Sequence, residues 1–118
     1  LYYVIDEDLG PQHSVFAPFF GVAKATLTAP ARVAQMSGAI VAPCFAWFDV
    51  ERQHYRVAIG RPLAGFPSGD RHTDGATINQ ALEADIRRAP EQYLWSQRLF
   101  QSRPDGAPAP YTMKGRPG

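Results

Sequence analysis

The sequence predicts an α/β domain: a mixed, mainly parallel sheet flanked by helices and incomplete on its amino-terminal side. Three observations predict it. Two apolar runs, Leu1 to Ile5 and Val15 to Phe20, lack the alternation of a half-solvated strand and suit strands buried on both faces. The stretch Ala76 to Ala89 repeats Ile78, Leu82 and Ile86 every four residues, as a helix laid on such a sheet would. The chain also opens on Leu1 in what reads as the middle of a buried strand, and too few strands follow to flank it. The expectation is the carboxyl-terminal part of a longer protein.

The first run delivers Asp6-Glu7-Asp8 into a turn at Gly10-Pro11. Ligands of α/β sheets gather beyond the carboxyl ends of strands, so three carboxylates there form a site candidate. A solvated acidic turn is the competing reading, because charged side chains prefer the surface. The second run closes on Gly21, and a short connection leads to a helix over Ala29 to Ser37. Thr28 is placed to cap it, Pro30 falls in its first turn and Gly38 suits a left-handed terminator. Leu27, Ala31, Val33, Ala34 and Met36 offer its apolar contacts.

Ala39 to Phe48 is apolar enough for a core strand, interrupted at Pro43, which lacks a ladder donor. A polar turn over Asp49 to Arg52 then returns the chain. Gln53 to Ile59 alternates, with Tyr55, Val57 and Ile59 on one side, as a half-buried strand antiparallel to its predecessor would. Gly60 to Gly75 reads as loop, pinned by Leu63 and Phe66. The helix over Ala76 to Ala89 takes Asp74 or Thr77 as its cap, and Pro90 ends it. Pro90 then starts a second helical stretch anchored by Tyr93, Leu94, Trp95, Leu99 and Phe100. The expected organisation is therefore a body over residues 1–100 and a Pro/Gly-rich tail over 101–118, too poor in apolar surface to order itself.

Composition excludes several classes. With 45% hydrophobic and 19% charged residues, the 118-residue chain is globular. A net charge of +1 gives no electrostatic footprint for nucleic acid. The longest apolar stretch is about ten residues and holds Pro43, against the roughly 20 that a membrane-spanning helix needs. The lone Cys44 forms no internal disulfide, has no basic neighbour in sequence and reads as an inert core thiol. His13, His54 and His72 sit in no metal-ligand pattern and read as surface residues. Ser14 and Ser68 lack the Gly-x-Ser-x-Gly context of an exposed nucleophile.

That leaves the acidic turn. An Asp-x-Asp at a strand end would hold a divalent metal and a nucleotide-sugar diphosphate, the arrangement of a glycosyltransferase, because hard cations take carboxylate oxygens. Alternatively, the carboxylates accept hydrogen bonds from sugar hydroxyls or hold an arginine.

Three stretches together resemble the carboxyl-terminal half of the lipid A biosynthesis acyltransferases, the lauroyl/myristoyl transferases of the lysophospholipid acyltransferase-like superfamily. Asp6-Glu7-Asp8-Leu9-Gly10 followed by Val15 to Gly21 is similar to the family's Asp-Gln-Asp-x-Gly and Val-Phe-Val-Pro-Phe-Phe-Gly segments. Ala25 to Thr28, Gly38-Ala39 and Val41 to Cys44 resemble its helix and following strand. Arg88 to Trp95, with Arg98, Phe100, Arg103 and Pro104, resembles its terminal signature. The resemblance runs from Leu1 to about Pro104.

It implies a glycerolipid acyltransferase-like fold and transfer of a fatty acyl group from acyl carrier protein to a hydroxyl of a lipid A precursor. The cytoplasmic face of the bacterial inner membrane is the implied location, with no cofactor. In the superfamily a His followed five residues later by Asp or Glu deprotonates the acceptor hydroxyl. Here the fifth residue after His13 is Pro18, after His54 Ile59 and after His72 Thr77, so no catalytic residue is expected in this chain. The pair and a membrane anchor are expected upstream of Leu1.

The resemblance carries over acceptor-side positions: Asp6, Asp8 and Gly10 as substrate-binding, with Arg98 among the arginines (Arg87, Arg88, Arg98, Arg103) that would meet an anionic glycolipid at the membrane surface. Pro43 matches the late block ending in proline. Glu7 stands where Gln is usual, Ser96-Gln97 where an aliphatic residue and His often stand, and Leu99 and Gln101 where basic residues stand. Those losses weaken phosphate contact at the terminal segment. The alternatives are a lysophospholipid acyltransferase, a metal-dependent glycosyltransferase using Asp6 and Asp8, and a non-catalytic membrane-peripheral remnant.

Overall fold

The computed structural model describes residues 1–111. Strands β1 (Ser14–Phe19) and β2 (Val22–Leu27) form an antiparallel hairpin, and helix α1 (Ala29–Ser37) follows. Strands β3 (Cys44–Asp49) and β4 (His54–Ile59) form a second antiparallel hairpin, and the long helix α2 (Arg71–Arg88) closes the order. Each sheet has two strands, and both are antiparallel. The architecture is thus mixed α/β, as expected, but among the described residues no parallel pair occurs.

The expected strand over Leu1 to Ile5 is irregular, and Leu1, Tyr2 and Val4 are exposed. A strand exists only against a neighbour, and no described segment lies alongside to pair with it. The strand that pairs with β1 is instead β2, read from sequence as a connection. Phe20 and Gly21 turn the hairpin with φ of 46° and 77°, the positive pair of a two-residue loop whose twist matches the strands. Glu83 of α2 accepts the Phe20 N–H at 2.6 Å and holds that turn to the helix.

Register puts Val15 opposite Thr26 and Ala17 opposite Lys24, so these four side chains share one face. Helix α2 lies on that face. Gly75 sits at the closest approach: a Cβ there would stand 3.1 Å from Val15 Cγ2 and 3.2 Å from Ala17 Cβ. One turn on, the buried Asn79 amide donates to Ala17 O, Pro18 O and Thr26 Oγ1 at 3.3, 3.1 and 2.8 Å, locking helix to hairpin. Ile86 then meets Phe19 and Leu99 in the apolar centre, with Leu82, Tyr93 and Phe100 around it.

Helix α2 begins at Arg71, five residues before the expected start. Asp70 is its cap, accepting from Thr73 N at 2.7 Å, while Thr77 Oγ1 bonds back to Thr73 O inside the helix. Asp74 is buried and accepts the Ser68 N–H at 2.8 Å. Sequence reading stopped at Gly75 as a breaker, whereas here the missing side chain permits contact. Helix α1 has the expected bounds and ends on left-handed Gly38 (φ 69°), whose N–H returns to Ala34 O. Thr28 precedes it without a side-chain cap; its hydroxyl donates to His13 O instead. Val33 and Met36 are exposed, so α1 buries only Pro30 and Ala34.

The second hairpin is not core. Pro43 stands just before β3, where Gly60 N–H bonds to its carbonyl, so the interruption expected there becomes the strand start. Tyr55, Val57 and Ile59 are all exposed, and Cys44 is exposed where a core thiol was expected. Of the helical stretch expected from Pro90 to Phe100, only Pro90–Gln92 is helical, and Leu94 and Trp95 face solvent.

Replacing Gly75 by Ala tests the close approach. The better helix former should gain about 1 kcal/mol locally, but crowding against Val15 and Ala17 costs about 1–3 kcal/mol. The denaturant midpoint should therefore fall; a raised midpoint would mean the helix is free to lift from β1.

Candidate functional site

The acidic turn is built by its own carboxylates. Asp8 Oδ1 accepts the Gly10 N–H at 3.1 Å, an Asx-type closure two residues long. Gly10 holds φ 97° and ψ 160°, a conformation that side-chain-bearing residues avoid, which lets the chain reverse into Pro11. The expectation of a turn at Gly10-Pro11 is met in this way.

Asp6 and Asp8 then reach across the molecule. Tyr93 Oη donates to Asp6 Oδ2 at 2.9 Å. Ser102 donates twice to Asp8, from its N–H to Oδ2 at 2.5 Å and from its hydroxyl to Oδ1 at 2.8 Å. The two aspartates, on either side of Glu7, thus fasten the amino-terminal residues to an arm over residues 93–102. Glu7 between them is exposed. Arg103, next to Ser102, donates to Ala23 O at 2.9 Å and lies 5.6 Å from the Phe100 ring, and Tyr111 Oη accepts the Phe100 N–H. The described residues after Gln101 are therefore bonded to the body at several points.

Two groups beside this turn have shifted titration, set first by burial and then by the turn's charges. Lys24 is fully buried on β2, with its Nζ 3.4 Å from Ala25 O and 5.7 Å from the Phe19 ring centre. Burial pulls its pKa below 10.5, and the nearby Asp6 and Asp8 charges oppose that fall without cancelling it. Tyr93 is pushed well above the usual phenol range, first by burial, then by the Asp6 charge and the hydrogen bond to it. Its phenol stays protonated as a donor.

A cleft of about 560 Å³ opens beside the turn, walled by Asp6, Glu7 and Asp8 on one side and Gln97, Arg98 and Gln101 on the other, with Val4, Leu9 and Leu99 as its apolar lining. Of the expected substrate-binding residues, Asp6, Asp8 and Arg98 line this one cleft. Gly10 lies behind it as the bonding partner of Asp8. Arg98 is exposed, and among the described residues it forms no ion pair within 4.0 Å, the single pair being Arg56 with Asp49. Among the described residues no three His, Cys, Asp or Glu side chains converge on a common point, so the acidic triplet is splayed. His13, His54 and His72 are exposed and dispersed. Lys24 and Ser102 escaped the sequence reading, and Tyr93 entered it only as an aromatic anchor. Lys24 and Thr26 carried a signal, two polar residues spaced two apart in an otherwise apolar segment, but it pointed away from a buried strand.

The profile of the bacterial lipid A biosynthesis acyltransferase family matches residues 1–102, which include both aspartates, Arg98 and Ser102. The chain belongs to that family. It is 38% identical over 112 residues to the lipid A biosynthesis lauroyltransferase of Escherichia coli (strain K12), covering 94% of this chain and 37% of that protein. With the lipid A biosynthesis myristoyltransferase of the same strain it shares 34% over 113 residues, 96% of this chain and 35% of the relative. A lipid A biosynthesis acyltransferase of Haemophilus influenzae is 38% identical over 105 residues, covering 89% and 32%. This family member therefore spans about a third of the length of the curated relatives it matches. Among its described residues no helix is long and apolar enough to cross a membrane.

Two substitutions probe the turn. Tyr93→Phe should cost about 1–2 kcal/mol by leaving Asp6 without its donor. Because the folded-state phenol pKa is raised, wild-type stability should also fall above pH 10 more steeply than that of the variant, in denaturation curves at several pH values. Lys24→Met should act in the opposite direction. The lysine pKa is depressed on folding, so its burial costs stability at neutral pH and the cost fades as pH rises toward 10.5. The Met variant should melt higher at pH 7, by on the order of 1 kcal/mol, with the gap narrowing toward pH 10.5.

Proposed function

We propose that this chain supplies the acceptor side of an acyltransferase, within a protein of the length its relatives have. The reaction is transfer of a fatty acyl group from acyl carrier protein to a hydroxyl of a lipid A precursor. The carrying observation is that Asp6, Asp8 and Arg98, distant in sequence, line one cleft within a chain of this family. The names of the relatives, lauroyltransferase and myristoyltransferase of lipid A biosynthesis, support the acyl group and the acceptor class.

The roles divide by chemistry. Arg98, an exposed guanidinium on the cleft wall, meets an anionic group of the glycolipid, for which a planar fork of donors is well suited. Asp6 and Asp8 orient the acceptor wall: each holds a residue of the arm that carries Arg98, and each retains acceptor capacity for a sugar hydroxyl. Gly10 keeps Asp8 in that pose. The base, a histidine with a carboxylate five residues on, belongs to a part of the protein outside these 118 residues. There it takes the hydroxyl proton as the oxygen attacks the thioester carbonyl, and returns it to the carrier sulfur as the C–S bond breaks and the thiol leaves. The mainly parallel, glycerolipid acyltransferase-like sheet belongs to this same proposal, as a property of the longer protein. So do the cytoplasmic face of the bacterial inner membrane as its location and the boundary between a body over 1–100 and a tail over 101–118.

In the longer protein, Arg98→Ala should raise KM for the lipid acceptor by about 10-fold or more, the worth of a charge-assisted contact, with KM for acyl carrier protein unchanged. An unchanged acceptor KM, or a matching rise for the donor, would remove Arg98 from the acceptor wall.

A further inference from the structure

The second hairpin presents a face that the rest of the described chain leaves bare. Register pairs Cys44 with Ile59, Ala46 with Val57 and Phe48 with Tyr55, so these six side chains lie together on one side of β3–β4. None is charged. Tyr55, Val57 and Ile59 are 76%, 65% and 76% exposed, and Cys44 and Ala46 are exposed beside them. The opposite side carries Asp49, His54 and Arg56 with Phe45, Trp47 and Ala58. The hairpin is therefore amphipathic with its apolar side outward, the reverse of a solvated ribbon. The radius of gyration is 15.9 Å, against about 13.5 Å for a compact chain of this size.

The edge of β3 points to the kind of occupant. Gln92 pairs with the Phe48 backbone in both directions, its Nε2 donating to Phe48 O at 2.8 Å and its Oε1 accepting from Phe48 N at 2.6 Å. A side-chain amide thus stands where a neighbouring strand would bond. By the two-residue period of a strand, the outward backbone groups of Ala46 and Cys44 continue that edge. Lipid cannot satisfy such groups, whereas another segment of protein can. The small side chains of Cys44 and Ala46 also allow a packed element to come close.

We infer that this face is an internal seam, covered in the longer protein by polypeptide from the two thirds of the relatives' length that this chain does not span. The inference rests on the reading that this chain works within such a protein. It goes further in naming the surface: Cys44, Ala46, Phe48, Tyr55, Val57 and Ile59 form its contact, with the β3 edge open to strand pairing. A second copy of this chain or a bilayer would be the other possible covers.

Cys44 is a reporter on that face. The longer protein, dilute and free of lipid and with any other cysteines replaced, is treated with a maleimide before and after unfolding in urea. Cys44 should react at least 100-fold more slowly in the native protein. A native rate equal to the unfolded one overturns the seam. So does protection that disappears on dilution of the protein, which assigns the face to a second copy, or protection that arises only on adding phospholipid vesicles. Val57→Asp, on the same face, should restore labelling without urea; if it unfolds the protein, the wild-type measurement stands by itself. Acyl transfer assayed on the same sample separates the two proposals: protected Cys44 in a protein without acyltransferase activity keeps the seam and removes the functional reading.

Discussion

Everything on the first hairpin depends on how close α2 comes to it. With no side chain at Gly75, the helix settles against Val15 and Ala17, and that distance lets the Asn79 amide reach two strand carbonyls and a threonine hydroxyl. Buried amides are costly unless bonded, so Asn79 also fixes the rotation of the helix about its axis. That rotation directs Ile86 at Phe19 and Glu83 at the hairpin turn. The apolar centre is small, and its order is imposed by this polar lock as much as by oily contact.

The acidic turn works at the other end of the same body. Carboxylates at a strand end look like free ligands in a sequence, yet Asp6 and Asp8 spend much of their accepting power on Tyr93 and Ser102, residues 87 and 94 positions away. A fastener and a binding wall are compatible roles. The bonds that hold the arm bring Arg98 to face the carboxylates across the cleft, and a carboxylate that already holds one donor keeps lone pairs for another.

How much of this was legible follows from the range of each interaction. Helix α1 was readable to the residue because Pro30 and Gly38 act locally on the backbone. Strand β2 was not, because Lys24 and Thr26 look like surface residues, and their burial comes from α2 and the acidic turn, far along the chain. The start of α2 was misplaced because a glycine before a helix signals a break in sequence, whereas here it serves a contact with residues about 60 positions earlier. The run at Leu1 was read as buried from its unbroken apolar pattern, and Tyr55, Val57 and Ile59 of β4 as the inner side of a half-buried strand from their alternation. Apolarity expresses a demand for burial, and the described residues do not meet it at either place. The acidic turn at Asp6 and Asp8 was visible, and the structure lines one cleft with these two and Arg98. The partners of the aspartates were not visible, since hydrogen bonds spanning the chain leave no trace in local spacing.

Gln92 has a consequence of a different kind. By gripping one backbone position of β3, it joins the second hairpin to the body at a point, while the first hairpin is joined to α2 along a surface. A point attachment opens more cheaply than a surface. The chain should therefore consist of two cooperative units with separate opening free energies, β1, β2 and α2 exchanging their amide protons only near global unfolding and β3–β4 exchanging through local release.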